Sequence, residues 1–111
     1  MNIAYLYLAI AIVAEVAATS ALKASAEFTR PIPSAVAIVG YGVAFYMLTL
    51  VLRSIPVGIT YAVWSGLGIV LITAVSVVLY REMPDVPALI GMGLIIAGVI
   101  VINAFSSTVP H

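Results

Sequence analysis

Four long apolar stretches, Ile3 to Leu22, Ser34 to Leu52, Val57 to Tyr80 and Val86 to Phe105, constrain this chain more than any other feature. An α-helix rises about 1.5 Å per residue, so roughly 20 apolar residues cross a hydrocarbon layer about 30 Å thick. Each stretch is long enough to do so. The chain has 111 residues, 65% of them hydrophobic and 7% charged, whereas a soluble domain carries about a quarter charged residues to cover its surface. Its solvent is therefore lipid. The fold class expected is an all-α integral membrane protein, one transmembrane domain over residues 1–111.

The connectors support four separate helices. Lys23 to Pro33 holds three charges and two prolines, and Pro31 and Pro33 end one helix and begin the next. Arg53-Ser54-Ile55-Pro56 and Arg81-Glu82-Met83-Pro84-Asp85 are the other two, with Pro87 suited to a first helical turn. Links this short make neighbouring helices antiparallel, an up-down-up-down bundle. Ala24-Ser25-Ala26 resembles a signal-peptide cleavage site. No Lys or Arg precedes the apolar run and a carboxylate interrupts it, so the first stretch reads as a retained span.

Charge adds a second constraint. Seven charged residues, Lys23, Glu27, Arg30, Arg53, Arg81, Glu82 and Asp85, sit in connectors, and Glu15 alone lies inside a span. Net charge is zero with no basic run, which argues against nucleic acid as a partner. Cysteine is absent, His111 has no metal-ligand company, and neither a metal nor a cofactor is expected. Termini outside the cytoplasm are favoured by two positive charges only, a bias weak enough to allow insertion both ways.

Glu15 is about 4 Å from the middle of its helix, too deep to reach the interface. One reading is a protonated carboxyl that hydrogen-bonds a neighbouring helix. The other is functional, since ionisable groups inside spans mark transport paths and proton relays. Desolvation disfavours the charged carboxylate, so it is tolerable only when a proton or a bound cation neutralises it. One group serving both ligands makes their occupancy exclusive, which is the logic of exchange. Its face carries Leu8, Ala11, Ile12, Ala18, Thr19 and Leu22, a small and apolar lining suited to a bulky hydrophobic cation.

Four thin helices leave little room for a site with one carboxylate. A second copy would double its walls, so a dimer is the smallest assembly expected. Tyr5, Tyr7 and Tyr80 lie near span ends and read as interface-belt residues. Tyr41, Tyr61 and Trp64 lie deeper, and Tyr61 and Trp64 share a face that serves either cation binding or helix packing. Gly66 and Gly68 permit either a kink or a close crossing. In the fourth span Gly91 and Gly98 share one face with Leu94 and Ile95 between them, and Gly93 and Ala97 form a small-xxx-small pair. That span reads as an association helix.

The chain resembles the small multidrug resistance family of bacterial inner-membrane antiporters through nearly all its length. The marks are Ala14-Glu15-Val16 followed by Lys23, then Phe28-Thr29-Arg30, Pro33-Ser34, the unbroken block from Pro56 to Gly68, and Gly98 to Asn103. The resemblance implies a transporter, not an enzyme: an antiparallel homodimer of dual-topology subunits that exports lipophilic organic cations in exchange for protons. It implies that Glu15 is the essential membrane acid and that Tyr41, Tyr61 and Trp64 contact substrate. By the same match Leu8, Ala11, Ile12 and Thr19 line the pocket, Gly66 to Gly68 form a kink, and Gly91, Leu94, Ile95, Gly98 and Val99 belong to the dimerisation helix.

Two positions depart from the family pattern. Ala18 stands where a glycine is common and Ala44 where a serine is often seen, which puts the substrate range in question. Glu15-Val16-Ala17-Ala18-Thr19 and Ile102-Asn103-Ala104-Phe105 lack the tryptophan and lysine of the guanidinium-exporting branch, so the quaternary-ammonium branch is expected. The alternatives are guanidinium export, one half of a hetero-pair, or a non-transporting assembly factor with Glu15 as packing glue.

Overall fold

The structure, a computed structural model, describes residues 3–107; His111 lies outside them. Four helices follow one another: α1 (Ile3–Ala24), α2 (Pro31–Val51), α3 (Val57–Tyr80) and α4 (Val86–Phe105). All four are long and apolar enough to cross a membrane, and the described residues contain no strand. The helix α2 begins three residues before the Ser34 expected from sequence. The reason is local: prolines occupy its first turn, where the backbone N–H that proline lacks has no helical partner to lose.

The first two connectors are turns, and the third, residues 81–85, is irregular backbone fixed at its ends by helix caps. Ser25 is fully buried, its hydroxyl donates to the Leu22 carbonyl at 2.6 Å, and it accepts the Phe28 N–H at 3.2 Å. Ala26, Glu27 and Phe28 adopt left-handed φ of 47°, 61° and 65°, closing the turn so that the Arg30 N–H reaches the Ser25 carbonyl at 3.0 Å. Arg81 caps α3 in the left-handed region, φ 56°. Asp85 caps α4 by accepting the Ala88 N–H at 3.0 Å.

The core runs along one face of α1, where Ala4, Leu8, Ile12 and Val16 meet Val51, Ile55 and Val63. The crossing of α1 over α2 is set by small residues. A Cβ on Gly40 would lie 2.8 Å from the Ala18 Cβ and 3.1 Å from the Ala14 carbonyl oxygen. At the end of the bundle that holds the first and third connectors, Lys23 pairs with Glu82 and lies 4.7 Å over the Tyr80 ring. The Tyr80 hydroxyl donates to the Ser20 carbonyl at 2.7 Å. Tyr80 thus ties α3 to α1, beyond the interface role read from its position.

The helix α4 stands apart. It packs on α3 and has no buried residue. Val99 presses on Gly66, where a Cβ would lie 2.5 Å from its Cγ2. Gly66 is therefore a close-approach glycine, and α3 is one unbroken helix through Gly66 and Gly68.

Candidate functional site

Glu15 sits mid-way along α1 and faces a cavity of about 470 Å³ between α1, α2 and α3. From α1 come Glu15 and Thr19, and from α2 Tyr41, Phe45 and Leu48, with Leu52 at its C-terminal cap. The third wall is α3, chiefly through Tyr61, Trp64, Ser65, Gly68, Ile69 and Ile72. The α2 residues recur at helical spacing down the half of the helix beyond Tyr41, as the α3 residues do around Trp64, so each wall is one helix face. The cavity extends toward the second connector, since Leu52 and Val57 line it and the Lys23–Glu82 end does not. Its wall is open on one side: Tyr61 and Phe45 keep 74% and 57% of their surface exposed.

Glu15 is the one charged residue in this lining. Its Oε1 accepts a hydrogen bond from the Thr19 hydroxyl at 2.8 Å. The same Thr19 oxygen lies 2.7 Å from the Tyr41 hydroxyl, and Tyr41 stacks on Phe45 with ring centroids 6.2 Å apart. A carboxylate held by one hydroxyl, in walls of mostly aliphatic and aromatic side chains, has two routes to neutrality: a proton, or a cation that carries its own apolar surface. Aromatic faces add attraction for an organic cation, and the volume falls within the usual range for small-molecule sites, about 300–1,000 Å³. Among the described residues no three acidic, histidine or cysteine side chains gather where they could hold a metal ion.

The structure brings together Glu15, Thr19, Tyr41, Tyr61 and Trp64. It does not place Leu8, Ala11, Ile12 or Ala18 in the lining. All four are buried, at 2% exposure or less, in the packing of α1 onto its neighbours. The face around a helical residue is broad, and the part of it nearest α2 and α3 is consumed by contact. Ala18 and Ala44 are both fully buried outside the lining, so these two departures fall in the helix packing and not in the cavity wall.

On α4, Leu94 and Ile95 are exposed and Gly91 and Gly98 have open space where a Cβ would stand. Val99, expected on the same association face, turns inward to Gly66 and the core. Phe45, Leu48, Ser65, Ile69 and Ile72 were absent from the sequence expectation. Continuing the faces of Tyr41, Tyr61 and Trp64 at intervals of three and four residues would have found them.

Comparison with known proteins places this geometry. The family described as "Small Multidrug Resistance protein" matches residues 3–95. The quaternary ammonium compound-resistance protein QacE of Escherichia coli is 58% identical over 107 residues, 96% of this chain and 97% of its own. QacF of Klebsiella aerogenes, also a quaternary ammonium compound-resistance protein, is 54% identical over the same shares. The multidrug transporter EmrE of Escherichia coli (strain K12) is 49% identical over 96% of this chain and 97% of its own.

Proposed function

The chain belongs to the small multidrug resistance family, multi-pass proteins of the bacterial inner membrane, and we propose that it is a proton-coupled antiporter exporting lipophilic and quaternary ammonium cations. Quaternary ammonium compound resistance and multidrug transport are what its relatives' names carry. The finer reading, proton and cation competing for Glu15, rests on one observation: Glu15 is the single charge in a cavity otherwise walled mostly by apolar and aromatic groups, with neutral hydroxyls from Thr19, Thr60 and Ser65.

In this mechanism a lipophilic cation enters beside Tyr61 and Trp64 and neutralises the deprotonated carboxylate. A second copy of the chain, inserted in the opposite sense, contributes its own Glu15 and closes the open side of the cavity. The face of α4 that carries Gly91, with Leu94, Ile95 and Gly98 exposed, supports that assembly. Protons arriving from the acidic side displace the cation, and the dimer exchanges inward- and outward-open forms according to which ligand neutralises the pair. The aromatic and aliphatic walls favour a bulky lipophilic cation over guanidinium.

The test is uptake of tetraphenylphosphonium into proteoliposomes under an imposed pH gradient. Glu15→Gln keeps the side-chain length and an acceptor for Thr19 but cannot ionise, and it is expected to abolish gradient-driven uptake. Undiminished uptake by that variant would remove Glu15 from the mechanism.

A further inference from the structure

Thr19 holds an unusual place for a helical threonine. Its neighbour Ser20 spends its proton on the carbonyl four residues back, Val16, at 2.8 Å, the common fate of a helical hydroxyl. Thr19 instead gives its proton to the Glu15 carboxylate at 2.8 Å and meets the Tyr41 hydroxyl at 2.7 Å. The three groups form a chain from the middle of α1 to α2. The helices are held at that spot by the Gly40–Ala18 crossing, and those two residues directly precede Tyr41 and Thr19.

The direction of the chain follows from proton counting. A hydroxyl has one proton, and a carboxylate only accepts. While Glu15 is ionised, Thr19 must donate to it, and Tyr41 must then donate to Thr19. When Glu15 carries a proton it can itself donate to Thr19 and Thr19 to Tyr41, and the Tyr41 hydroxyl, keeping its proton, is free to point it into the cavity. We infer that Thr19 is a positioning residue for antiport: a hydroxyl relay that passes the ionisation state of Glu15 on α1 to the orientation of the Tyr41 hydroxyl on α2. This rests on the exchange reading of Glu15 above and specifies how one wall of the site senses it. The titratable groups facing Glu15 across the cavity are Tyr41 from α2 and Tyr61 from α3, and the lining holds no second charge.

Removing the relay takes one hydrogen bond from the ionised form, so the proton gains on the cation. The experiment is equilibrium binding of tetraphenylphosphonium to the purified full chain at a fixed subsaturating concentration across pH. Thr19→Val, nearly equal in volume, is expected to move the half-binding pH up by about one unit, with little loss well above it. Thr19→Ser should return the wild-type profile. Tyr41→Phe should shift it in the same direction by less, and the double variant should match Thr19→Val alone, because Tyr41 acts through Thr19.

A loss of affinity equal at every pH, an unmoved midpoint, or additive single effects would each overturn the relay and leave the Glu15 exchange site standing. A wild-type profile flat across pH would remove both. Should Thr19→Val fail to fold, Tyr41→Phe carries the test alone, an unmoved midpoint then counting against the relay.

Discussion

The helices α1 and α4 are similar in length, 22 and 20 residues, and have opposite fates. The one that carries the membrane charge is the most enclosed, with Ala4, Leu8, Ala11, Ile12, Val16 and Ala18 buried. The one with no charge and the fewest polar groups buries nothing within the subunit. In water that ranking would be reversed, because burial there follows apolarity. In lipid an apolar side chain gains little by leaving the solvent, so close packing and polar contacts select the partners. The comparison teaches that α1, α2 and α3 build the cavity, whereas α4 is left with an exposed apolar face, the one the proposed dimer would use.

Placing the same side chain on the two glycine faces is the strongest way to break this contrast. Gly40→Leu drives a side chain into the Ala18 methyl and the Ala14 carbonyl, neither of which can swing aside. A cost of about 3 kcal/mol or more is expected, read as early loss of helical circular dichroism in a detergent-to-SDS titration. Gly98→Leu meets nothing within 4 Å. It is expected to leave that titration unchanged while lowering the dimer fraction measured by cross-linking in liposomes. Equal behaviour of the two variants would erase the distinction between core helix and assembly helix.

A smaller effect sharpens the comparison where α3 hands over to α4. Arg81 holds a left-handed φ of 56° without being glycine, a conformation that costs a residue with a Cβ about 1–2 kcal/mol. Arg81→Gly is expected to stabilise the fold by about 1 kcal/mol in the same titration. No gain would mean that contacts of the arginine side chain offset the backbone strain.

Much of this was legible in the sequence, for physical reasons that differ by feature. The spans follow from the length that hydrocarbon imposes, and Glu15 follows from the cost of a charge there. Tyr41, Tyr61 and Trp64, which the family resemblance offers as substrate contacts, line the same cavity as Glu15. The division of α1 into lining and core was not legible. Leu6 is 45% exposed and Leu8 is 2% exposed, yet both are leucines on an apolar helix. A uniformly apolar helix has no polar face to mark its outside. The same silence hid the turn of Val99 toward Gly66, which depends on how closely α3 and α4 approach. The Thr19–Tyr41 contact was hidden too, since it joins residues 22 positions apart through a helix crossing.

Trp64 offers the most direct test of the central claim, that proton and cation compete for Glu15. It is the sole tryptophan in the chain and it lines the cavity, so its emission reports occupancy there. Titrating the purified protein with tetraphenylphosphonium at a series of pH values is expected to give a saturable change whose apparent affinity falls as pH is lowered, because protonation removes the neutralising partner. The affinity should level off at high pH, and the pH dependence should vanish in Glu15→Gln along with tight binding. An affinity constant across pH, or a Glu15→Gln titration that overlays the wild type, would contradict a site shared by proton and cation.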